Sequence, residues 1–212
     1  MLKVGFWDVD TQNDYMLPEG RHYLKGAEAL RPSLKKLYAF AKKSRLPVVA
    51  SADCYVPSDA RMDVVREHCI RGTEGQRKLP ETRLARSVVL PPDRKVEAPE
   101  ARPGLQVIIE KVHHDAFSNP AAREVVEKSG VDHWAVFGVA TDFGVRLAAL
   151  GLLKLGRKVT VVTDAVHAVS EEGARQATIE LQAAGADFKT SAALLKTFGR
   201  GETSRKRKSR TK

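Results

Sequence analysis

Short apolar runs alternate with helix-patterned segments along almost the whole of this chain, and no other feature narrows the possible folds so far. Residues 3–9, 47–52, 106–110, 133–137, 158–163 and 186–189 form apolar runs of strand length. Between them apolar residues recur at helical spacing, as Leu30, Leu34, Leu37, Tyr38 and Ala41 do within residues 27–43. Further helices are expected over residues 120–129, 142–155, 171–184 and 191–197, the first capped by Asn119 with Pro120 at its first position. Strands that alternate with helices need crossover connections. The sequence therefore predicts an α/β fold, a three-layer α/β/α arrangement around a single, mostly parallel six-stranded sheet of Rossmann-like architecture.

Ligands of such sheets bind beyond the carboxyl ends of the strands, where the strand order reverses. Asp10, Asp53, Lys111 and the turn that leads to Gly144 each follow directly on an expected strand, which puts them on one rim. An acid, a lysine and a helix start converging there would supply a base, an electrostatic partner and an oxyanion hole. Singly, each is an ordinary turn or surface residue. Residues 138–145, Gly-Val-Ala-Thr-Asp-Phe-Gly-Val, read as a glycine-led turn that opens a helix. The unpaired N–H groups and partial positive charge of a helix start suit an anion or a developing oxyanion. A nucleophile belongs at such a turn, yet Gly144 has no side chain.

Taken in order, these segments resemble the isochorismatase-like cysteine hydrolases, a family that includes nicotinamidases. The resemblance covers about residues 3–197. Val9-Asp10-Thr11-Gln12-Asn13-Asp14-Tyr15 is similar to the family's first-strand motif, which makes Asp10 the general base. Lys111 with Asp115-Ala116-Phe117 is similar to its lysine segment, and residues 138–145 to its nucleophile turn, whose Val-Ala peptide is often cis. The resemblance implies that Gly144 stands where the catalytic cysteine would be, and that the N–H groups of Ala140 and Gly144 form the oxyanion hole. It implies a hydrolase of small amides that lacks the sulfur its route needs. The alternative is a natural non-catalytic member that binds a small molecule or a partner protein. Gln12, Tyr55, His113, His114, Phe117 and Thr141 are expected around the substrate pocket.

Nicotinamidases also hold a divalent metal on an Asp-x-His pair and further histidines. Here Asp53 and His68 match, Tyr55 replaces the first histidine, Asp59 would add a third ligand, and the adjacent His113 and His114 read rather as a site wall or surface. Two ligands are a poor cage for zinc, so neither a cofactor nor a tightly bound metal is expected. Cys69 belongs to a His-Cys segment beside the true nucleophile in the family; Cys54 follows a strand at the same rim but reads as a partly buried thiol.

At 212 residues the chain has room for one domain, expected over residues 1–199. It shows neither a signal peptide nor an apolar run of the roughly 20 residues that a membrane span needs, so a cytoplasmic protein with reduced thiols is expected. The formal charge is +10, of which residues 200–212 carry seven cations against Glu202. That segment reads as a solvated, disordered basic tail, with contact to nucleic acid through the tail the lesser expectation. Residues 53–103 hold six of the ten prolines and little periodicity, and read as a covering over the site. A small-molecule substrate or ligand and a homo-oligomeric state complete the expectations.

Overall fold

The computed structural model describes residues 3–57, 67–93 and 96–208, the last nine of these by their backbone alone. Seven parallel strands form one sheet in the order β3-β4-β2-β1-β5-β6-β7. They are β1 Val4–Val9, β2 Val48–Asp53, β3 Ser87–Leu90, β4 Gln106–Lys111, β5 His133–Val139, β6 Lys158–His167 and β7 Asp187–Lys189. Every neighbouring pair is parallel. The chain starts at the centre with β1, builds outward through β2, and returns to pair β5 with the other side of β1. That reversal puts the switch point between β1 and β5.

The strands are apolar on both sides because helices cover both. Trp7 and Val9 pack with Val125, Val126, Ala148 and Leu152 of α3 (Ala121–Ser129) and α4 (Arg146–Lys154). Phe6 faces the opposite way, toward Leu34, Leu37 and Tyr38 of α2 (Arg31–Ser44) and toward Leu194 and Phe198 of α6 (Ser191–Lys208). α1 (Asn13–Met16) and α5 (Glu171–Ala183) complete the helices.

The expected six strands are seven, because β3 lies inside the long connection. Its Val88 and Val89 are exposed, so four residues at the sheet edge gave no alternating pattern. Residues 75–79 of the connection are sewn to the segment that follows β1. Asn13 N–H donates to Arg77 O, Asp14 N–H to Gly75 O and Leu79 N–H to Thr11 O. The helix expected from residue 27 opens as a 3-10 turn, Ala27–Leu30, with Pro32 in the first turn of α2. The helix expected from residue 142 opens as a wider, π-helical turn, Thr141–Val145. α6 continues through Lys208, past the expected end at residue 197. The side chains of residues 200–208 and all of residues 209–212 lie outside the described set, and the expectation of a disordered tail with them. Among the described residues no helix is long and apolar enough to cross a membrane.

Candidate active site

β1 ends at Val9, and Asp10 turns the chain off the sheet in a left-handed conformation, φ 47°. Its N–H donates to Ser51 O at 3.2 Å, and Ser51 Oγ donates to Asp10 Oδ1 at 2.7 Å. Two strands away Lys111 closes β4, and its buried Nζ lies 2.9 Å from Asp10 Oδ2 and 2.5 Å from Asp53 Oδ1. Tyr15 Oη donates to the other Asp53 oxygen. One ammonium thus joins two carboxylates at the carboxyl ends of β1, β2 and β4. Burial lifts the Asp10 carboxyl to about 6, against the pull of Lys111 and with the help of Asp53. Burial alone would lower the Lys111 ammonium, but the two carboxylates outweigh it and hold the group above the usual lysine range.

From the other side the site is built by the turn after β5. Gly138 has φ 116°, and a Cβ there would lie 1.9 Å from Val9 O, so only glycine lets the two strand ends meet. The Val139–Ala140 peptide is cis. The turn then brings Gly144 against Asp10: a Cβ on Gly144 would stand 2.9 Å from Asp10 Oδ2 and 2.9 Å from Val9 Cγ1. Gly144 has no positive φ, so the backbone there would accept any residue. What distinguishes the position is space, already taken by an ion-paired carboxylate and a methyl group.

A cavity of about 740 Å³ opens above these groups, with Asp10, Asp53, Ala140 and Gly144 among its lining. Tyr55, His113 and His114 line it, as the sequence places them, and so does His68, which the sequence offers as a metal ligand. Its lining mixes apolar and aromatic residues such as Leu24, Val139, Phe143 and Leu147 with aspartates and four histidines, a make-up that suits a small molecule with polar groups. Burial lowers His114, and its ring lies 5.2 Å from that of Phe143.

Three residues expected around the pocket lie elsewhere. Gln12 is fully buried as a brace: Nε2 donates to Asp53 O and to Gln76 O, each at 2.8 Å, and Oε1 accepts from Asp53 N–H at 2.7 Å. Phe117 stacks on Trp7 at 5.4 Å and presses on Gly151 of α4, because the 3-10 turn Ala116–Ser118 points it into the core. Thr141 lines a neighbouring cleft with Val161 and Phe188, because the π-helical turn carries it to the β6 side. Lys111 is buried beneath Asp10 and does not line the cavity. Tyr15, His22 and Phe143 line it without having been expected there. Tyr15 sits inside the first-strand motif and was within reach of the sequence; His22 arrives only through the path of the loop after α1.

At the positions that the resemblance gives to a divalent metal, the side chains have other partners or another chemistry. Both Asp53 oxygens are engaged, Tyr55 offers no imidazole, and His68 stacks on His22 with ring centres 4.4 Å apart. Among the described residues no three His, Cys, Asp or Glu side chains are disposed to hold an ion, and Asp59 lies outside those residues. Neither cysteine is poised as a thiolate. Burial pushes Cys54 up to about 11 although Arg71 Nε lies 3.1 Å from its sulfur, and burial carries Cys69 well above the usual range.

Residues 9–193 match the family profile of the Isochorismatase domain. The chain belongs to the isochorismatase family. No curated protein matches it in sequence. Among solved structures, an isochorismatase-like hydrolase from Alkaliphilus metalliredigens is similar at TM-score 0.74 and 21% identity, over 92% of this chain and 99% of that one. Nicotinamidase from Bacillus subtilis aligns at TM-score 0.72 and 18% identity, over 89% and 99%. N-carbamoylsarcosine amidase from Thermoplasma acidophilum aligns at 0.70 and 24%, over 90% and 97%. At these identities the likeness is one of fold.

Proposed function

We propose that this isochorismatase-family chain binds a small amide or related carbonyl compound in the cavity above Asp10 and does not hydrolyse it through a thioester. One observation carries the reading: an acid and a lysine are assembled and paired beside a residue, Gly144, that has no side chain to attack with. The acid at about 6, raised by burial and held back by Lys111, can accept or give a proton near neutral pH. Ala140 and Gly144 line the cavity at the start of the helical turn, where their N–H groups would meet a carbonyl oxygen. Glycine keeps that N–H and removes the nucleophile. The names of similar structures, a nicotinamidase and an amidase of N-carbamoylsarcosine, support the amide class.

In this reading no metal takes part, since Asp53 serves Lys111 and Tyr15. Calorimetry with nicotinamide and a panel of small amides, run beside an ammonia assay, tests the reading. Wild-type protein is expected to bind at least one amide without releasing ammonia, and treatment with a chelator should leave that binding unchanged. Gly144→Cys is expected to gain release by several orders of magnitude over wild type, the usual worth of a nucleophile. Release by wild type at the rate of the cysteine variant would overturn the absence of turnover. A cysteine variant that binds every amide its parent binds and hydrolyses none would overturn the hydrolase-type site.

A further inference from the structure

We propose that the face built by α2 and α6 is a docking surface for the phosphate backbone of duplex nucleic acid. The charge of this chain is concentrated on two segments. Residues 31–45 hold six cations and no acid, and residues 196–212 hold eight cations against Glu202 alone. Because the whole chain is only +10, everything outside those segments is net acidic. So uneven a distribution makes a directed field rather than a merely soluble surface.

The fold brings the first segment beside the start of the second. α2 turns Leu34, Leu37, Tyr38 and Ala41 to the sheet, which leaves Lys35, Lys36, Lys42 and Lys43 exposed on its outer face. Lys35 and Lys42, like Lys36 and Lys43, are seven residues apart, two turns or about 10 Å along the helix, so they form parallel rows. None of the four, nor Arg45, makes an ion pair among the described residues; only Arg31 does, with Glu81. α6 lies beside α2: the Phe6 ring sits between those of Phe40 and Phe198, at 6.5 and 6.2 Å. A Cβ on Gly199 would come within 3.9 Å of the Phe40 ring, so α6 is still against α2 where its basic stretch begins.

The chemistry favours a duplex over other polyanions. An anionic bilayer holds an amphipathic helix through apolar side chains, and residues 200–212 contain none. On α2 the exposed residues other than lysine are Pro32 and Ala39. Single strands are held by stacking on aromatic side chains, and α2 exposes none. What remains is a set of point charges, which suits regularly spaced phosphates read without regard to sequence.

Fluorescence anisotropy of the full chain with a labelled random duplex DNA tests this. Binding is expected to weaken at least about tenfold between 50 and 200 mM salt, through counterion release. The variant K35Q/K36Q/K42Q/K43Q is expected to lose about tenfold or more in affinity at low salt and to flatten the salt dependence. R205Q/K206Q/R207Q/K208Q should do the same, and Arg123→Gln, on α3 across the sheet, should change neither. Glutamine keeps helix propensity at these exposed positions, and circular dichroism verifies the fold of each variant. Undiminished binding by the α2 variant would overturn the face, leaving the terminal segment acting alone. Absence of duplex binding overturns the proposal outright, as would tighter binding to vesicles of anionic lipid or to single strands.

Discussion

Strand β1 and the residue just after it carry two buried carboxylates two residues apart, each paired with a buried lysine, and the pairs differ in everything but that. Asp10 meets Lys111 at 2.9 Å with Asp53 as a second acceptor, at the edge of a cavity. Asp8 meets Lys78 at 3.3 Å inside the core beneath α2, where Tyr38 and Thr11 also donate to the same Asp8 oxygen, Oδ2, and the other finds no hydrogen-bond partner among the described residues. Lys78 further donates to Ser51 O, whose hydroxyl holds Asp10. The same residue pairing is therefore sealed in the core in one place and set against a cavity in the other. Access decides the difference, because only a charge that lines a cavity can act on a ligand.

Removal of the lysines should separate the two most strongly. Lys111→Met leaves two carboxylates buried without a cation, and chemical denaturation is expected to show a loss near the top of the range of about 3–5 kcal/mol for a broken buried pair. Lys78→Met leaves one and should cost less, about 3 kcal/mol. Adding Asp8→Val to Lys78→Met should restore stability to within about 1 kcal/mol of wild type, since apolar replacement of a whole buried pair is often neutral. Failure of that rescue would mean that the Asp8 pair, too, does more than fill the core.

A smaller effect concerns protons. The Asp10 carboxyl is raised from 3.8 to about 6, chiefly by burial, so the folded protein binds this proton more tightly than the unfolded chain does. The contribution of this group to stability is therefore full below about pH 4 and declines as pH rises through 6. Asp10→Asn should remove that decline relative to wild type in melts between pH 4 and 7. A carboxyl carbon of Asp10 that titrates in NMR near 4 would contradict the raised value and, with it, the contrast drawn with a solvated acid.

The smallest effect is expected at the turn. Gly144→Ala gains helix propensity but drives a methyl to 2.9 Å from Asp10 Oδ2 and Val9 Cγ1, so a net loss of about 1–2 kcal/mol is expected in denaturation. A gain in stability would show that Asp10 yields easily, and that the ion pair is softer than its geometry.

Asp10, Lys111, Asp53 and Gly144 were legible because each ends a strand or opens a helix, and a parallel sheet delivers strand ends to one rim. Tyr55, His68, His113 and His114 followed from the same segments. Gln12 and Phe117 were misplaced for a shared reason: the motif that contains a residue fixes its neighbourhood, while backbone geometry fixes which way it points. Gln12 turns under Asp53 and Phe117 turns toward Trp7. β3 went unseen because two of its four residues are exposed valines at the sheet edge. His22 gave no local signal, since it reaches His68 across more than forty residues of chain.

The sequence by itself determined the alternation of strands and helices, hence the parallel sheet and its ligand-binding rim, because periodicity and glycine placement are local properties. It also determined that position 144 has no side chain. Only the tertiary structure decided that Lys111 is shared between two carboxylates, and that a β-carbon at Gly144 would crowd one of them. Distances between residues a hundred positions apart depend on how the sheet twists and packs, and no local pattern records that. Nor does one record that the basic α2 and the start of α6 pack side by side.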